Sequence, residues 1–555
     1  MYIEKISIFN YRGIEFESME LSKTTIIFGK NDSRKTTFFS AIRKVLDYQE
    51  RKKELLETDS TNLNKKDIKI EITLNVSDIN KEDENVALKY IYSIDDKKYL
   101  KIILEAKFNE KSNSYEETIT IDAEGDPFLF SANRWIPPID EIISIVFIPA
   151  SYSLEDDKKS FFNFRKKIIS EEEKGMVLQN VKASIDEFNN KVSLESFVVD
   201  MSDSINKNNK FQLMKDVQLN VSSVVKNNDI FKSLDIITHY QTKELSELGD
   251  GRNKILSLLL KLNSINNKRV ILLIEEPENH LYVHYQKNLI SEVEKFFNSD
   301  SQILCSTHSP FIIDYRKIDQ LVKFEYKNGE FSFFSYFLVK NIDRDENNKG
   351  YFFNLEFAEV LYCEKVILIE GYSEKSFYNY LLTFDHDFFL KIVEQNIGFL
   401  FSFGVAFEKP KEILESLNIK VSILTDNDMN TDDGGLYNYF GIKRCYKYLN
   451  NFDKLEFNNL FKSLVENNFK LENKIKQECL NSVILFFEKR NIFLPNHHDG
   501  FERDFVNFLD LEEKEEVIKK LKKAKLKNLV ELILKNQSLM KVKNTNKNNR
   551  LIKVI

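Results

Sequence analysis

The chain has 555 residues, 42% hydrophobic and 30% charged, a makeup that supports several buried cores and excludes a disordered or fibrous protein. Eighty Lys and Arg against 87 Asp and Glu leave a net charge of −7, so no global basic field marks a nucleic-acid binder and such contact needs a local patch. The four cysteines (Cys305, Cys363, Cys445 and Cys479) form no CxxC pair, which excludes a zinc knuckle and a disulfide framework. The start, MYIEKISIFNYRGIEF, does not read as a signal peptide, and no apolar run reaches the ~18 residues a membrane span needs. The expected setting is the reducing cytoplasm, away from membranes.

In chain order, residues 2–9 alternate as a strand, and an apolar strand over 24–28 runs into GKNDSRKTT and a helical pattern from Thr36 to about Tyr48. Residues 68–78, 88–106 and 115–122 read as further strands, and 146–150 as a short buried one. From 155 to 245 charged, Asn-rich segments carry apolar residues at helical spacing, which predicts a helical insertion that serves self-association. There follow a Gly-rich turn opening a helix (248–262), an apolar strand ending in acids (268–281) and another ending in a polar cluster (301–312). Strand–helix alternation resumes at Glu364, runs to Asp428 and gives way to mostly helical sequence. The expected division is 1–154 and 246–345 for one split domain, 155–245 for the insertion and 346–555 for a second domain.

A strand, then G-x-x-x-x-G-K-[ST], then a helix makes a phosphate loop: backbone N–H groups cradle phosphate, Lys reaches the outer phosphates and the hydroxyl holds Mg²⁺. Gly29, Asn31, Lys35, Thr36 and Thr37 fall in that frame, with Arg34 in place of the second glycine. A side chain where backbone should approach phosphate closely predicts binding with impaired turnover. In VILLIEEPE, Glu275 takes the metal-side position of a Walker B strand and Glu276 the water-polarising one. His308 in STHSP stands where a switch histidine senses the γ-phosphate, and Gly249 and Gly251 form a signature-like turn that completes a neighbour's site across a dimer.

The second site is read from two strand ends about fifty residues apart. VILIEGYSEK presents Glu370, and VSILTDND presents Asp426 and Asp428. Residues i and i+2 of a strand share a face, so both aspartates can aim at one cation while Asn427 points away. Hard cations take carboxylate oxygens and relieve the repulsion among clustered acids. Glu374, one helical turn past Glu370, is placed to join a second ion. GFERDF offers Glu502 and Asp504 on one face of a strand or turn, and Lys525 can neutralise charge at a phosphate, although spacing alone says almost nothing about these three. His497 and His498 read as solvated. Residues 521–555 hold ten Lys or Arg and one acid, Glu531, a DNA-contacting patch or a solvated face with a frayed tail.

The runs IIFGKND, GDGR-x-K-x-LS, LIEEPE, STHSP, LIEG-x-SEK, TDND and K-x-KL-x-N-x-VEL together resemble the OLD (overcoming lysogenization defect) family of nucleases, and within it the A-subunit branch of the Gabija anti-phage systems. The likeness covers nearly the full length. It implies an α/β chain, an ABC-type P-loop ATPase domain with a helical insertion followed by a C-terminal Toprim domain. It implies a nucleotide-regulated DNA endonuclease or nickase using Mg²⁺ or Mn²⁺, with ATP or another nucleotide as regulator. The family's catalytic acids and metal ligands fall on Glu370, Glu374, Asp426, Asp428, Glu502 and Asp504, and its catalytic lysine on Lys525. The implied partners are double-stranded DNA, further copies of the chain in a tetramer built as a dimer of dimers, and a UvrD-like helicase, the Gabija B subunit. Tyr282 stands where relatives often have His. Two other readings stay open: a non-catalytic ATP-binding sensor or scaffold that recruits a separate effector, and another Toprim reaction such as a topoisomerase.

Overall fold

The structure, a computed structural model, describes residues 1–79, 81–150, 199–200, 202–203, 218–223, 234–239, 269–296, 301–313, 318–335 and 355–555, the last with breaks at 403–405, 433, 499, 510–513, 524, 537–539, 541 and 543–548. It divides into two units, Met1–Asp314 with Gln320–Phe333, and Tyr315–Asp319 with Phe334–Ile555.

The first unit holds two main sheets. One is antiparallel, built from β1 (Tyr2–Tyr11), β2 (Ile14–Glu20), β4 (Ile68–Asn75), β5 (Tyr92–Ile94), β6 (Lys97–Asn109), β7 (Ser114–Ala123) and β8 (Asp126–Ser131), in the order β2-β1-β4-β6-β7-β8 with β5 on β6. In β4 alternate residues Ile68, Ile70, Ile72 and Leu74 are fully buried, the period-two pattern of a sheet with one face on a core. The other sheet has the order β15-β14-β3-β13-β12-β9, from β3 (Thr24–Gly29), β9 (Ile143–Ile148), β12 (Arg269–Glu275), β13 (Gln302–Thr307), β14 (Leu321–Lys327) and β15 (Glu330–Ser335). β9, β12, β13, β3 and β14 run parallel. Parallel strands covered on both faces read as unbroken apolar runs, and TTIIFG and QILCST are buried at every position. Helix α1 (Lys35–Leu46) packs Phe38, Phe39, Ile42 and Val45 into the same core. Helix α2 (Val283–Phe296) follows β12.

A buried side chain stitches the two sheets. Gln302, at the start of β13, donates from Nε2 to the carbonyls of Ile3 (2.9 Å) and Ser22 (3.0 Å) and accepts from the Ile3 N–H (2.8 Å). One side chain thereby satisfies buried backbone groups that strand pairing leaves open.

The range 155–245, expected as a helical insertion, is described only in part, with helical residues at 199–200 and 202–203. Its described residues include an antiparallel pair, β10 (Gln218–Ser223) and β11 (Leu234–His239), in register from Gln218↔His239 to Ser223↔Leu234. Most of that range, with Gly249 and Gly251, lies outside the described residues.

The second unit is built on a parallel sheet of β16 (Lys365–Ile369), β17 (Ile397–Phe401), β18 (Lys420–Leu424) and β22 (Ile492–Phe493), in the order β17-β16-β18-β22. Between the last two, β19 (Asn430–Thr431), β20 (Tyr437–Asn438) and β21 (Lys470–Leu471) form a small antiparallel sheet. The helices that matter below are α3 (Tyr372–Phe384), α4 (Phe440–Lys447), α5 (Gly500–Leu509), α6 (Lys525–Lys535) and α7 (Arg550–Lys553). Phe377, Tyr378, Phe501, Phe505, Leu529, Leu551 and Val554 meet in one core. The last residues, from Arg550 on, are packed where fraying was one expectation: Tyr378 OH donates to the Leu551 carbonyl at 2.7 Å and Lys365 Nζ to that of Val554 at 2.6 Å. Among the described residues no helix is long and apolar enough to cross a membrane.

Candidate functional site

The acid residues of the second unit gather where its sheet changes direction. The chain passes from β16 to β17 on one side and returns to β18 on the other, so a crevice opens at the carboxyl ends of β16 and β18. Ile369 pairs with Leu424, which sets Glu370 beside Thr425. Glu370 Oε1 accepts from the Asp426 N–H (2.8 Å), the Thr425 hydroxyl and Arg444 Nη1 of α4 (2.6 Å). Burial and the charge of Asp426 push its pKa up, with Arg444 opposing.

The idea that Asp426 and Asp428 share one strand face is not what is found. β18 ends at Leu424, and residues 425–429 form no strand. Thr425 N–H bonds to the Phe493 carbonyl (3.2 Å), and the partner strand β22 is only two residues long, so regular pairing stops there. The two aspartates go to different arginines. Asp428, with its side chain 56% exposed, pairs with Arg444 Nη2. Asp426 accepts from Arg550 Nη2 of α7 at 3.1 Å. Arg550 is buried, donates from Nε to Asp504 Oδ2 (2.8 Å), and gives Nη1 to the Thr425 carbonyl. Burial works against its charge, and Asp504 and Asp426 more than offset that. Asn427 is buried and donates to the Pro495 carbonyl at 3.1 Å.

Two glycines press on this loop. A Cβ on Gly441 of α4 would lie 2.7 Å from Asn427 Cα and from the Asp426 carbonyl. Gly500 has φ +62°, and a Cβ there would lie 2.5 Å from Asp426 Oδ2. Only glycine meets that approach and that backbone angle together.

Glu502 and Asp504 sit on helix α5, where a strand or turn was expected. Phe501, Phe505 and Phe508 recur at helical spacing and carry the helix into the core. Two residues apart on a helix point to different sides. Both are buried, and Asp504 meets Arg550 and His497 Nε2 (3.1 Å). The histidines are thus not simply solvated: His498 Nδ1 also lies 2.8 Å from the Asn427 carbonyl. Glu374 is buried in the first turn of α3. Lys525 opens α6, and its side chain lies outside the described residues. Sequence reasoning missed Arg444, Arg550, Thr425 and His497 as members of this cluster.

The donor set is all carboxylate oxygen, which suits a hard divalent ion. Its placement does not: among the described residues no three His, Cys, Asp or Glu side chains are arranged to hold a metal. Arg444 and Arg550 hold the acids in pairs instead.

In the first unit the phosphate loop joins β3 to α1. A Cβ on Gly29 would lie 2.3 Å from the Phe324 carbonyl, so the loop begins where only glycine fits. Arg34 takes φ 66° and ψ 20°, the left-handed region that glycine occupies easily. Its guanidinium lies 4.2 Å from the centre of the Tyr326 ring, and Phe38 N–H bonds to its carbonyl at 3.0 Å. Lys35 Nζ folds onto the loop, donating to the carbonyls of Gly29 (3.2 Å) and Lys30 (2.9 Å) and to Ser33 Oγ (3.1 Å). Burial lowers its pKa to about 8, with Glu276, Glu278, Asp32 and Glu275 acting the other way.

Glu275 at the end of β12 is raised by burial and hydrogen-bonded to Thr36, which joins the Walker-type acid to the loop hydroxyl. His308 Nε2 lies 3.3 Å from Glu276 Oε1, and burial and Lys35 lower its pKa. Glu278, which sequence reasoning passed over, accepts from Thr307 Oγ1 (2.9 Å) and the His308 N–H (2.5 Å) and so fixes the histidine loop. Its signal was present as the last acid of EEPE. Asn31 is exposed at the loop and Thr37 half-buried in α1.

A P-loop ATPase unit followed by a Toprim unit is the class of protein these features define. Residues 24–314 match a family model described as AAA domain, putative AbiEii toxin, Type IV TA system, and residues 361–428 match the TOPRIM domain of overcoming lysogenization defect protein-like proteins. The two matches together fit a nuclease of the overcoming lysogenization defect family. It is 27% identical over 575 residues to endonuclease GajA of Bacillus cereus (strain VD045), across 96% of this chain and 95% of that protein. Among solved structures, an SMC head bound to the C-winged helix domain of ScpA shares 15% identity with a TM-score of 0.38, over 62% of this chain and all (100%) of that one. The SMC head domain from Thermotoga maritima shares 13% with a TM-score of 0.31, over 60% and 99%, and likenesses this slight do not bear on the architecture.

Proposed function

We propose that the chain is a nucleotide-regulated, metal-dependent DNA endonuclease or nickase of bacterial anti-phage defence. The observation that carries this reading is the crevice at the ends of β16 and β18, where Glu370, Asp426, Asp428 and Asp504 meet within one hydrogen-bonded cluster. The full-length likeness to a protein named as an endonuclease supports it. The proposed ion is Mg²⁺ or Mn²⁺, for which Glu370, Asp426, Asp428, Glu374, Glu502 and Asp504 are the proposed ligands, and Lys525 is the proposed lysine that neutralises charge at the scissile phosphate. ATP or another nucleotide is the proposed regulator. Lys35 and the loop N–H groups from Gly29 to Thr37 would hold its phosphates, Thr36 and Glu275 its cation, and Glu276 and His308 its outer phosphate. The proposed partners are double-stranded DNA, further copies of the chain in a tetramer to which residues 155–245 contribute, and a UvrD-like helicase, in the cytoplasm.

The test is cleavage of supercoiled DNA with Mg²⁺ or Mn²⁺, titrated with ATP. The wild type is expected to nick or linearise it, less as ATP rises. Asp426→Ala with Asp428→Ala is expected to cut about 100-fold more slowly or not at all, while circular dichroism shows it folded. Undiminished nicking by the double variant would sink the reading. The arginine-held acids favour one other reading, a non-catalytic scaffold, which DNA left intact by the wild type with and without nucleotide would establish.

A further inference from the structure

The run KKLKKAKLKNLV, residues 519–530, holds six lysines and no acid in a chain whose net charge is −7. It spans the junction of the helix Lys514–Lys523 with α6. Ile518, Leu521, Leu529 and Ile533 are buried in the core of the second unit and anchor both helices. Asn528 ties them together, donating from Nδ2 to the Lys520 carbonyl at 2.6 Å. Lys519, Lys520, Lys522, Lys523 and Lys527 are all exposed. The nearest acids of the two helices have partners of their own: Glu515 meets Arg503 at 2.8 Å, Glu516 meets Lys520 at 2.7 Å and Glu531 meets Lys535 at 2.7 Å. Lys519, Lys523 and Lys527 form no ion pair with an acid among the described residues.

Helix electrostatics account for only part of this charge. Lysines suit the carbonyl end of a helix, as Lys520, Lys522 and Lys523 do in the last turn of the first helix. Lys527 sits in the first turn of α6, which holds no acid, and a cation there opposes the dipole. Lys519 and Lys523, four residues apart on one helix, repel each other. Positive charge kept against both effects, on an anchored and exposed junction, suits a polyanion. The run has no aromatic residue on which a base could stack, so it fits backbone phosphate rather than bases. The helix Lys514–Lys523 packs against α5, which carries Glu502 and Asp504, and α6 packs against α3, which carries Glu374. We propose that this junction seats the phosphate backbone of duplex DNA, contacted through Lys519, Lys520, Lys522, Lys523 and Lys527 without regard to sequence. A duplex held there is held by helices packed on those that carry the crevice acids. The proposal deepens the DNA-cutting reading above and rests on it.

The experiment is binding of a short fluorescein-labelled duplex to the full-length protein, in EDTA and without nucleotide, read by anisotropy as salt rises from about 50 to 200 mM. The triple variant Lys519→Gln, Lys523→Gln and Lys527→Gln is expected to bind about tenfold more weakly. Its slope of log affinity against log salt is expected to be shallower by about 2–3, since each phosphate contact contributes about 0.9. Arginine at the same three positions is expected to keep affinity and slope, because the charge stays. Lys66→Gln, Lys107→Gln and Lys111→Gln, at exposed positions of the first unit, change net charge equally and are expected to bind as wild type. A triple variant equal to wild type, or a control that loses as much, overturns the proposal and leaves the DNA-cutting reading standing. Wild type that neither binds nor cuts DNA overturns the two together. Wild type that binds phosphatidylserine vesicles through these lysines, and not duplex, overturns the proposal in favour of a membrane surface. Should the triple variant not fold, Lys523→Gln alone decides: a slope shallower by about 1 supports the proposal, and an unchanged slope overturns it.

Discussion

The phosphate loop and the acid crevice each keep a cationic side chain where a ligand belongs, and they keep it on different terms. Lys35 rests on two carbonyls and a hydroxyl, neutral groups that compensate a buried ammonium poorly, and its pKa falls to about 8. Arg550 is just as enclosed, but two carboxylates meet it and its pKa rises against the cost of burial. The Lys35 ammonium thus has only neutral hydrogen-bond partners, with the carboxylates acting from farther off, which suits it to meet phosphate. The crevice has supplied its own positive charge in Arg444 and Arg550. Burial alone does not decide what a charged group costs; the charge of its partners does.

Three measurements break or sharpen that contrast. The largest effect is expected for Arg550→Met, which leaves Asp426 and Asp504 without their shared cation. Removing one side of a buried pair costs about 3–5 kcal/mol, a fall in melting temperature of roughly 10 °C. A melt within about 2 °C of wild type would mean Arg550 is not the frame it is taken to be.

Next is the pH dependence of nucleotide binding. Lys35 is charged below its pKa of about 8 and neutral above it. Affinity for a fluorescent ATP analogue is therefore expected to fall as pH rises through 8, by roughly tenfold between pH 7 and 9. Arg stays charged throughout, so Arg at this position (Lys35→Arg) is expected to flatten the profile. A flat wild-type profile removes the idea of a poorly compensated ammonium.

The smallest effect is expected for Arg34→Gly. The left-handed backbone costs the arginine about 1 kcal/mol, and its contact with Tyr326 returns about 0.5–1 kcal/mol. The two nearly cancel, so the melting temperature is expected to stay within about 2 °C. ATP affinity is expected to change less than about threefold, since the side chain lies on Tyr326. A large gain in affinity would show that it obstructs phosphate after all.

What could be read in the sequence divides along physical lines. Strands buried on both faces announce themselves as apolar runs, so β3, β12, β13, β16 and β18 and the acids at their ends were legible. Arg444, Arg550 and His497 were not, because each reaches the crevice from an element whose own pattern only reports helix or loop. GFERDF was misread because six residues are too few to separate a helical period from an alternating one. In QLNVSS and LDIITH, the surrounding Asn-rich sequence hid two short strands. The backbone at Arg34 shows the converse error: a residue that breaks a motif by type can still adopt the conformation the motif needs.

Gly441 and Gly500 have a consequence for how such chains vary. Neither carries a functional group, yet a single methyl at either place would strike the backbone or the carboxylate of the Asp426 loop. A descendant could keep every acid of the signature and still lose the crevice through one alanine. Inventories that score intact motifs would count that chain as competent, and natural drift at these two positions is a more sensitive record of whether the crevice is still in use.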